Sequence, residues 1–360
     1  MLLVIDDKIP FMRGQAERLG RAVYLPGAEI APADVREADA LIVRTRTKID
    51  KRLLDGSRVR FVATATIGTD HIDTAYLDSR GIGWASAPGC NAGSVAQYVA
   101  CTLAVLWQEG VLTMPPEKCT VGVVGVGHVG KRVCEAMRRM GCRVLECDPP
   151  RAEAEGAAGF ATLEEVLAEA DVVTLHVPLT RAGRFATFHM ADAAFFEALK
   201  KQPVFINAAR GEVADTDALV AAIDAEKVGA AVIDTWEQEP HISPELLRRA
   251  RIATPHIAGY SADGKACGTR MALEAVARAL GRDDLRFDDI LPPPLPEDFV
   301  YSPEDFNNVP VLEKANEILP HPWRELLRLY DPRRDSRALK ACPDEFEKLR
   351  GDYPLRREVF

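Results

Sequence analysis

Short apolar runs alternate with amphipathic stretches from the first residue onward. MLLVID (1–6), ALIV (40–43), FVATAT (61–66) and IGWAS (82–86) are nearly unbroken in apolar character, which predicts strands buried on both faces. PFMRGQAERLG (10–20) reads as a helical spacer between the first two. A stronger series follows NAGSVAQYVACTLAVLWQEG (91–110), a long helix with an apolar face. Its strands are predicted at TVGVVG (120–125), RVLECD (143–148), DVVTLHV (171–177), PVFINA (203–208) and GAAVID (229–234). Helical periodicity fills the gaps, around 128–140, 162–169, 191–200 and 215–226. Strand–helix alternation makes parallel sheets with helices on both faces, so the fold class is α/β with two doubly wound units. The helix over 261–281 crosses back to the first unit. After Asp288 the proline-rich LPPPLPEDFV is a connector, and the charged remainder suggests a small α+β domain. The expected boundaries are 1–92 with 257–286, then 93–256, then 287–360.

Bulk properties exclude several classes. Apolar content of 47% and charged content of 28% suit a globular chain with sizeable cores, and the net charge of −9 argues against a nucleic-acid or anionic-membrane binder. Asp6 and Asp7 interrupt the N-terminal apolar run where a signal peptide would continue, and no stretch is long enough to span a bilayer. Eight cysteines form no CxxC pair and no zinc-ligand spacing with histidine. They read as buried thiols in a reducing, cytoplasmic setting, with no metal expected.

The clearest motif is GVGHVG, Gly125 to Gly130. A lone GxGxxG is weak, but this one follows a buried strand, opens a helix and precedes a strand ending in Asp148. That acid lies 18 residues beyond Gly130, close to the roughly 20 expected between a dinucleotide fingerprint and its ribose-binding carboxylate. Gly125 would permit the tight turn, Gly127 the approach of a pyrophosphate, and Gly130 the packing of helix on strand. Asp148 would accept the ribose hydroxyls and repel a 2′-phosphate, favouring NAD, although Arg151 nearby counts the other way. Later strand ends carry Arg210, the acids Asp234 and Glu239, and His256. Each alone is more often a cap, a loop carboxylate or an unremarkable loop histidine. Together they form a set suited to hydride chemistry on a 2-hydroxy acid.

VGVVGVGHVGKR (121–132), NAARGEV (207–213), DTWEQEP (234–240) and TPHIAGYSADGKA (254–266) resemble the signature segments of the NAD-dependent D-2-hydroxyacid dehydrogenases. Further matches lie at LIVRTRTK (41–48), TATIGTDHID (64–73), APGCNAGSVAQYV (87–99), CDPPR (147–151) and YDPRRD (330–335). They point to a branch that acts on a small phosphorylated 2-hydroxy acid and carries an extra C-terminal domain. The resemblance implies a flavodoxin-like substrate-binding domain, a Rossmann NAD-binding domain and a C-terminal dimerisation domain. It also implies that His256 is the acid/base, that Glu239 bonds its other nitrogen and that Arg210 holds the substrate carboxylate. Cofactor contacts fall on Gly125, Gly127, His128, Val129, Gly130, Asp148, Val177, Ala208, Asp234 (at the nicotinamide end) and Gly259. Substrate contacts fall on Thr45, Thr66 and Tyr260; the family has serine at the position of Thr45.

A phosphorylated substrate needs further cations. If RTRTK (44–48) is extended, Arg44, Arg46 and Lys48 share one side, which makes Arg44 and Arg46 the expected phosphate donors, with Arg333 and Arg334 as competitors. Residues 289–360 are too short and charged for an independent core; they are expected to mediate a homodimer, and deletion after Asp288 to leave a folded NAD-binding monomer. Two other readings stand beside this one: a relative acting on glycerate, 3-phosphoglycerate or lactate-like acids, and an NAD-sensing binding protein.

Overall fold

The structure, a computed structural model, describes residues 1–308 and 322–358. They divide into two units, Met1–Asn91 with Ser261–Leu295, and Ala92–Tyr260 with Pro296–Phe360.

The first unit holds a five-stranded parallel sheet: β1 (Leu2–Asp6), β2 (Arg21–Leu25), β3 (Ala40–Val43), β4 (Phe61–Thr64) and β5 (Gly83–Ala85), in the order β2-β1-β3-β4-β5. This is the flavodoxin-like order. β2, RAVYL, escapes the apolar-run criterion because it is an edge strand whose residues are only partly buried. The stretch 10–20 is not a helix but a chain of turns with one 3-10 turn, Ala16–Arg18; Phe11 (φ 60°) and Gly14 (φ 83°) both leave the helical region. The returning helix, Ala262–Ala279, starts where the Ser261 hydroxyl caps the Gly264 N–H at 2.9 Å. It buries Ala266, Leu273 and Val276 in one core with Leu3, Ile5 and Ile42.

The second unit holds β6 (Thr120–Val124), β7 (Arg143–Cys147), β8 (Val172–Leu175), β9 (Val204–Asn207), β10 (Ala230–Ile233) and β11 (Ile252–Ala253). Their order, β11-β10-β9-β8-β6-β7, reverses direction at β6, the switch point beside which α/β sheets bind their ligands. β11 is too short to leave a periodic signal. The helix Ala92–Gln108 is buried almost all round, not on one face; Leu326, Leu327 and Tyr330 belong to the same core. That is one correction to the reading of residues 287–360. From Pro296 they cluster with the second unit, and the described part is helical, with Pro303–Asn308, Pro322–Leu329, Pro332–Ala341 and Phe346–Gly351 and no strand. Tyr301, Tyr353, Leu339 and Phe346 complete its two cores. Glu325, Arg337 and Lys340 are exposed while Leu326, Leu327 and Leu339 are buried, and the one charged side chain buried in these helices among the described residues, Asp335, accepts the Tyr301 and Tyr353 hydroxyls. Deletion after Asp288 would therefore open the unit instead of releasing a folded monomer.

Candidate active site

The fingerprint loop follows β6 directly. Gly125 sits at φ 88°, and a Cβ there would lie 2.7 Å from the His176 backbone and the Val177 side chain. A Cβ on Gly130 would fall 1.9 Å from the Gly125 carbonyl, so the helix His128–Arg139 can approach the loop only without one. Nothing lies within 4 Å of the Cβ position of Gly127, which precedes the helix as its N-cap. The exposed Gly127 and His128 and the half-buried Val129 thus ring a helix N-terminus with free space over it, the geometry that receives a pyrophosphate.

At the end of β7, Asp148 accepts from the Val126 N–H (2.8 Å) and from the Arg151 N–H (3.1 Å). It thereby fastens the fingerprint loop to the next helix. Arg151 is already engaged, binding both Glu155 oxygens at 2.7 Å and the Val126 carbonyl at 2.8 Å. This guanidinium is committed within its own loop and is not presented to a 2′-phosphate. Val177 and Ala208 are half-buried at the ends of β8 and β9. His176 beside them bonds the Thr174 hydroxyl through Nε2 at 2.9 Å, and burial pushes its imidazole down to about 3, which favours the neutral ring.

The reactive set is built from three loops braced against one another. Asn207, buried at the end of β9, accepts from the Ala209 N–H and donates to the Arg210 carbonyl at 3.0 Å. Arg210 is held extended (φ −143°, ψ 145°) with its guanidinium half-buried. A Cβ on the next residue, Gly211, would fall 1.9 Å from the Trp236 carbonyl, so the arginine loop lies directly on the loop that carries Glu239. Glu239 in turn accepts the Trp236 N–H through Oε1 (2.9 Å) and His256 Nδ1 through Oε2 (2.8 Å). Burial pushes this carboxyl up, but the His256 charge, its hydrogen bond, the Trp236 N–H and Arg350 together hold it below the ordinary carboxylate value.

His256 occupies the left-handed region at φ 56°, a costly conformation for a residue with a Cβ. Asp234 maintains it. Its Oδ1 accepts the Thr254 hydroxyl (2.6 Å) and the Ile257 N–H (2.8 Å), and its Oδ2 accepts the Ala258 N–H (3.0 Å). The His256 N–H bonds the Asp234 carbonyl at 2.8 Å. Asp234 is only 1% exposed, and burial raises its carboxyl against the pull of these bonds. Asp234 thereby braces the histidine turn.

In the first unit, Thr45 and Arg46 are exposed and Thr66 is half-buried, its hydroxyl bonded to that of Thr64 at 2.7 Å. The 44–48 segment is not extended: the Thr47 N–H bonds the Arg44 carbonyl at 3.3 Å, and Thr47 is buried against the Gly27 carbonyl. Alternation fails accordingly. Arg44 pairs with the buried Asp6 at 3.1 and 3.3 Å, and Arg46 lies on the exposed part of the turn. Arg333 and Arg334 are spent on Asp331 and on Asp335 with Tyr301.

Four supporting residues fall outside the expected site set, Asn207 among them although it opens NAARGEV. His189 joins Glu237 (2.7 Å) and Asp215 (3.5 Å), tying the loop before Glu239 to the helix after Arg210. Asn207 braces Arg210. Arg356 is buried, with Nη1 donating to the Ile257 carbonyl (3.0 Å), Nη2 to that of Ala258 (2.6 Å) and its guanidinium over the Tyr330 ring at 4.0 Å. Arg350 lies 3.6 Å from Glu239 Oε2, and its Nε donates to the Tyr260 hydroxyl at 3.2 Å. Sequence separation hides the last two, and the tail holds too many arginines for either to stand out. Gly259, next to Tyr260, is half-buried.

Residues 95–258 match the family model described as D-isomer specific 2-hydroxyacid dehydrogenase, NAD binding domain. The chain is 47% identical over 359 residues to erythronate-4-phosphate dehydrogenase of Bacteroides fragilis, covering 99% of this chain and 97% of that protein. It is 40% identical over 362 residues to the Cronobacter sakazakii protein of the same name, covering 99% and 92%. Among solved structures, D-lactate dehydrogenase from Aquifex aeolicus, complexed with NAD and lactic acid, superposes with a TM-score of 0.64 at 25% identity, over 79% of this chain and 97% of that one. The NAD-dependent formate dehydrogenase of Staphylococcus aureus shares the fold at 20% identity and a TM-score of 0.62, over 79% and 97%.

Proposed function

Because the chain belongs to the erythronate-4-phosphate dehydrogenases, among the D-isomer specific 2-hydroxyacid dehydrogenases, we propose that it oxidises 4-phospho-D-erythronate at C2. The product is the 2-oxo acid, the acceptor is NAD, and the step belongs to pyridoxal 5′-phosphate biosynthesis. The 2.8 Å bond between His256 Nδ1 and Glu239 Oε2 carries this reading. It fixes the tautomer with the lone pair on Nε2, the nitrogen that takes the C2 hydroxyl proton. In the reverse direction the protonated ring returns it to the ketone oxygen. Arg210 holds the C1 carboxylate with a planar, permanently charged fork and draws charge toward the C2 oxygen. Thr45, Thr66 and Tyr260 offer hydroxyls to the polyol. The fingerprint loop, Asp148, Val177, Ala208, Asp234 (at the nicotinamide end) and Gly259 would hold NAD, which when bound supplies the hydride acceptor. Turnover of NAD with 4-phospho-D-erythronate, followed as NADH absorbance, tests the assignment; no turnover, or faster turnover of glycerate or 3-phosphoglycerate, would replace it. No described helix is long and apolar enough to cross a membrane, and we read the protein as a cytoplasmic homodimer. Sedimentation showing a single-chain species would remove the dimer.

Asp148→Ser should lower the NAD-to-NADP efficiency ratio about tenfold to a hundredfold, the worth of charge-assisted bonds to the ribose. Serine can still cap the Arg151 N–H, so a stability loss should not obscure the effect. An unchanged ratio takes Asp148 out of cofactor selection.

Arg46 is the proposed phosphate contact. Arg46→Ala should raise KM for the phosphorylated acid about tenfold to a hundredfold, and far less for unphosphorylated erythronate. Equal losses on both would move the phosphate elsewhere.

A further inference from the structure

The last helix of the second unit, Phe346–Gly351, brings a cation to the catalytic carboxylate. Arg350 Nη1 lies 3.6 Å from Glu239 Oε2, the same oxygen that accepts His256 Nδ1 at 2.8 Å. Its Nε is bound to the Tyr260 hydroxyl at 3.2 Å, and the side chain is about one quarter exposed. One carboxylate oxygen therefore faces both the His256 imidazole and the Arg350 guanidinium. We propose that Arg350 is a positioning residue for the reaction: it shares Glu239 with His256, limits how strongly that carboxylate favours imidazolium, and so keeps the ring available as a base. The proposal rests on His256 being the acid/base.

The sign follows from charge alone. Glu239 stabilises protonated His256; Arg350 offsets part of that field and repels the imidazolium directly. The other titratable or charged groups around the pair are Asp234 beneath the histidine turn, Tyr98 behind Asp234 through Thr254, Tyr260, Arg356 against the Ile257 carbonyl, and Glu347 beside Arg350. None of them takes the place of Arg350 at Glu239 Oε2. Burial works against the Arg350 charge, while Tyr260 and Glu239 sustain it, so the cation is present throughout the working range.

Arg350→Met keeps the aliphatic stem and removes the charge; Arg350→Gln is a second neutral form, and Arg350→Lys restores charge without the fork. In the neutral variants the acidic limb of the kcat/KM profile for oxidation should move up by about 0.5–1 pH unit. One unit below the wild-type limb, that appears as a roughly threefold to tenfold loss that vanishes at alkaline pH. Arg350→Lys should lie closer to wild type. NMR titration of His256 in the ligand-free protein, assigned with His256→Ala, should show the same upward displacement. That titration needs no substrate, so failure of the proposed reaction and failure of this proposal are told apart. A His256 titration unchanged or displaced downward overturns it. So does a loss of fold in both neutral variants, since Arg350 would then be a folding residue alone.

Discussion

Replacing His256 with alanine should cut turnover by about a hundredfold to ten-thousandfold, the usual worth of a positioned acid/base, while leaving NAD affinity nearly intact. No fingerprint residue bonds His256, whose partners are Glu239, Asp234 and Thr254. Alanine at φ 56° still carries a Cβ, so the backbone strain stays and only the reactive ring is lost. Glu239→Gln is the companion measurement. With the carboxylate charge gone, imidazolium loses its partner, and oxidation, which needs the neutral ring, should persist to lower pH. The acidic limb therefore moves down, opposite in direction to the Arg350 variants. Stopped-flow and steady-state rates across pH 5 to 9, with NAD binding by fluorescence, check both. A His256→Ala enzyme with near-normal rates would remove the histidine from the chemistry, and an upward limb in Glu239→Gln would remove the pairing.

Alanine at Gly211 should damage fold and activity together. Its Cβ would stand 1.9 Å from the Trp236 carbonyl and 2.4 Å from the Glu237 nitrogen, both backbone atoms that cannot swing aside. One loop must withdraw, and overpacking of this severity costs about 3 kcal/mol, or a melting temperature lower by roughly 6–12 °C for a unit of this size. Arg210 and Glu239 ride on the two loops forced apart, and displacement of about 1 Å in such a constellation costs on the order of a hundredfold in rate. Calorimetry and kcat on the phosphorylated acid measure the two effects. Wild-type melting with wild-type rate would mean the loops do not rely on this contact.

The site was legible where chemistry and fold share a local signal. GVGHVG, Asp148 and the β-strands flanking them are close in sequence, so one window contains turn, helix N-terminus and carboxylate. Glu239 and His256 were found as neighbours of proline and glycine at strand ends, and their pairing came from the family resemblance. The bracing role of Asp234 has no sequence signal, because an acid at a strand end looks the same whether or not it also binds its own loop; its 1% exposure and its bonds to Thr254, Ile257 and Ala258 reveal the brace. Arg44 was misread for a related reason: alternation assumes an extended chain, and the turn at Arg44–Thr47 sends one arginine to Asp6, far away in sequence. β2 and the helix around Ala92–Gln108 show the same limit in the fold, since an edge strand hides its apolar face and a helix buried all round has no face to show.

The tail that closes the core of the second unit fixes when the enzyme can mature. A ribosome completes the strands through β11, with Glu239 and His256 already made, long before it reaches Tyr330, Arg350 and Arg356. Until those residues emerge, the helix Ala92–Gln108 lacks the Leu326, Leu327 and Tyr330 side of its core, and the carbonyls of Ile257 and Ala258 lack the guanidinium that binds them. Nascent chains fold from their N-terminus as units become complete, and this unit becomes complete only once Arg356 has emerged. A chain that stops before Leu326 thus leaves the apolar side of the helix Ala92–Gln108 uncovered.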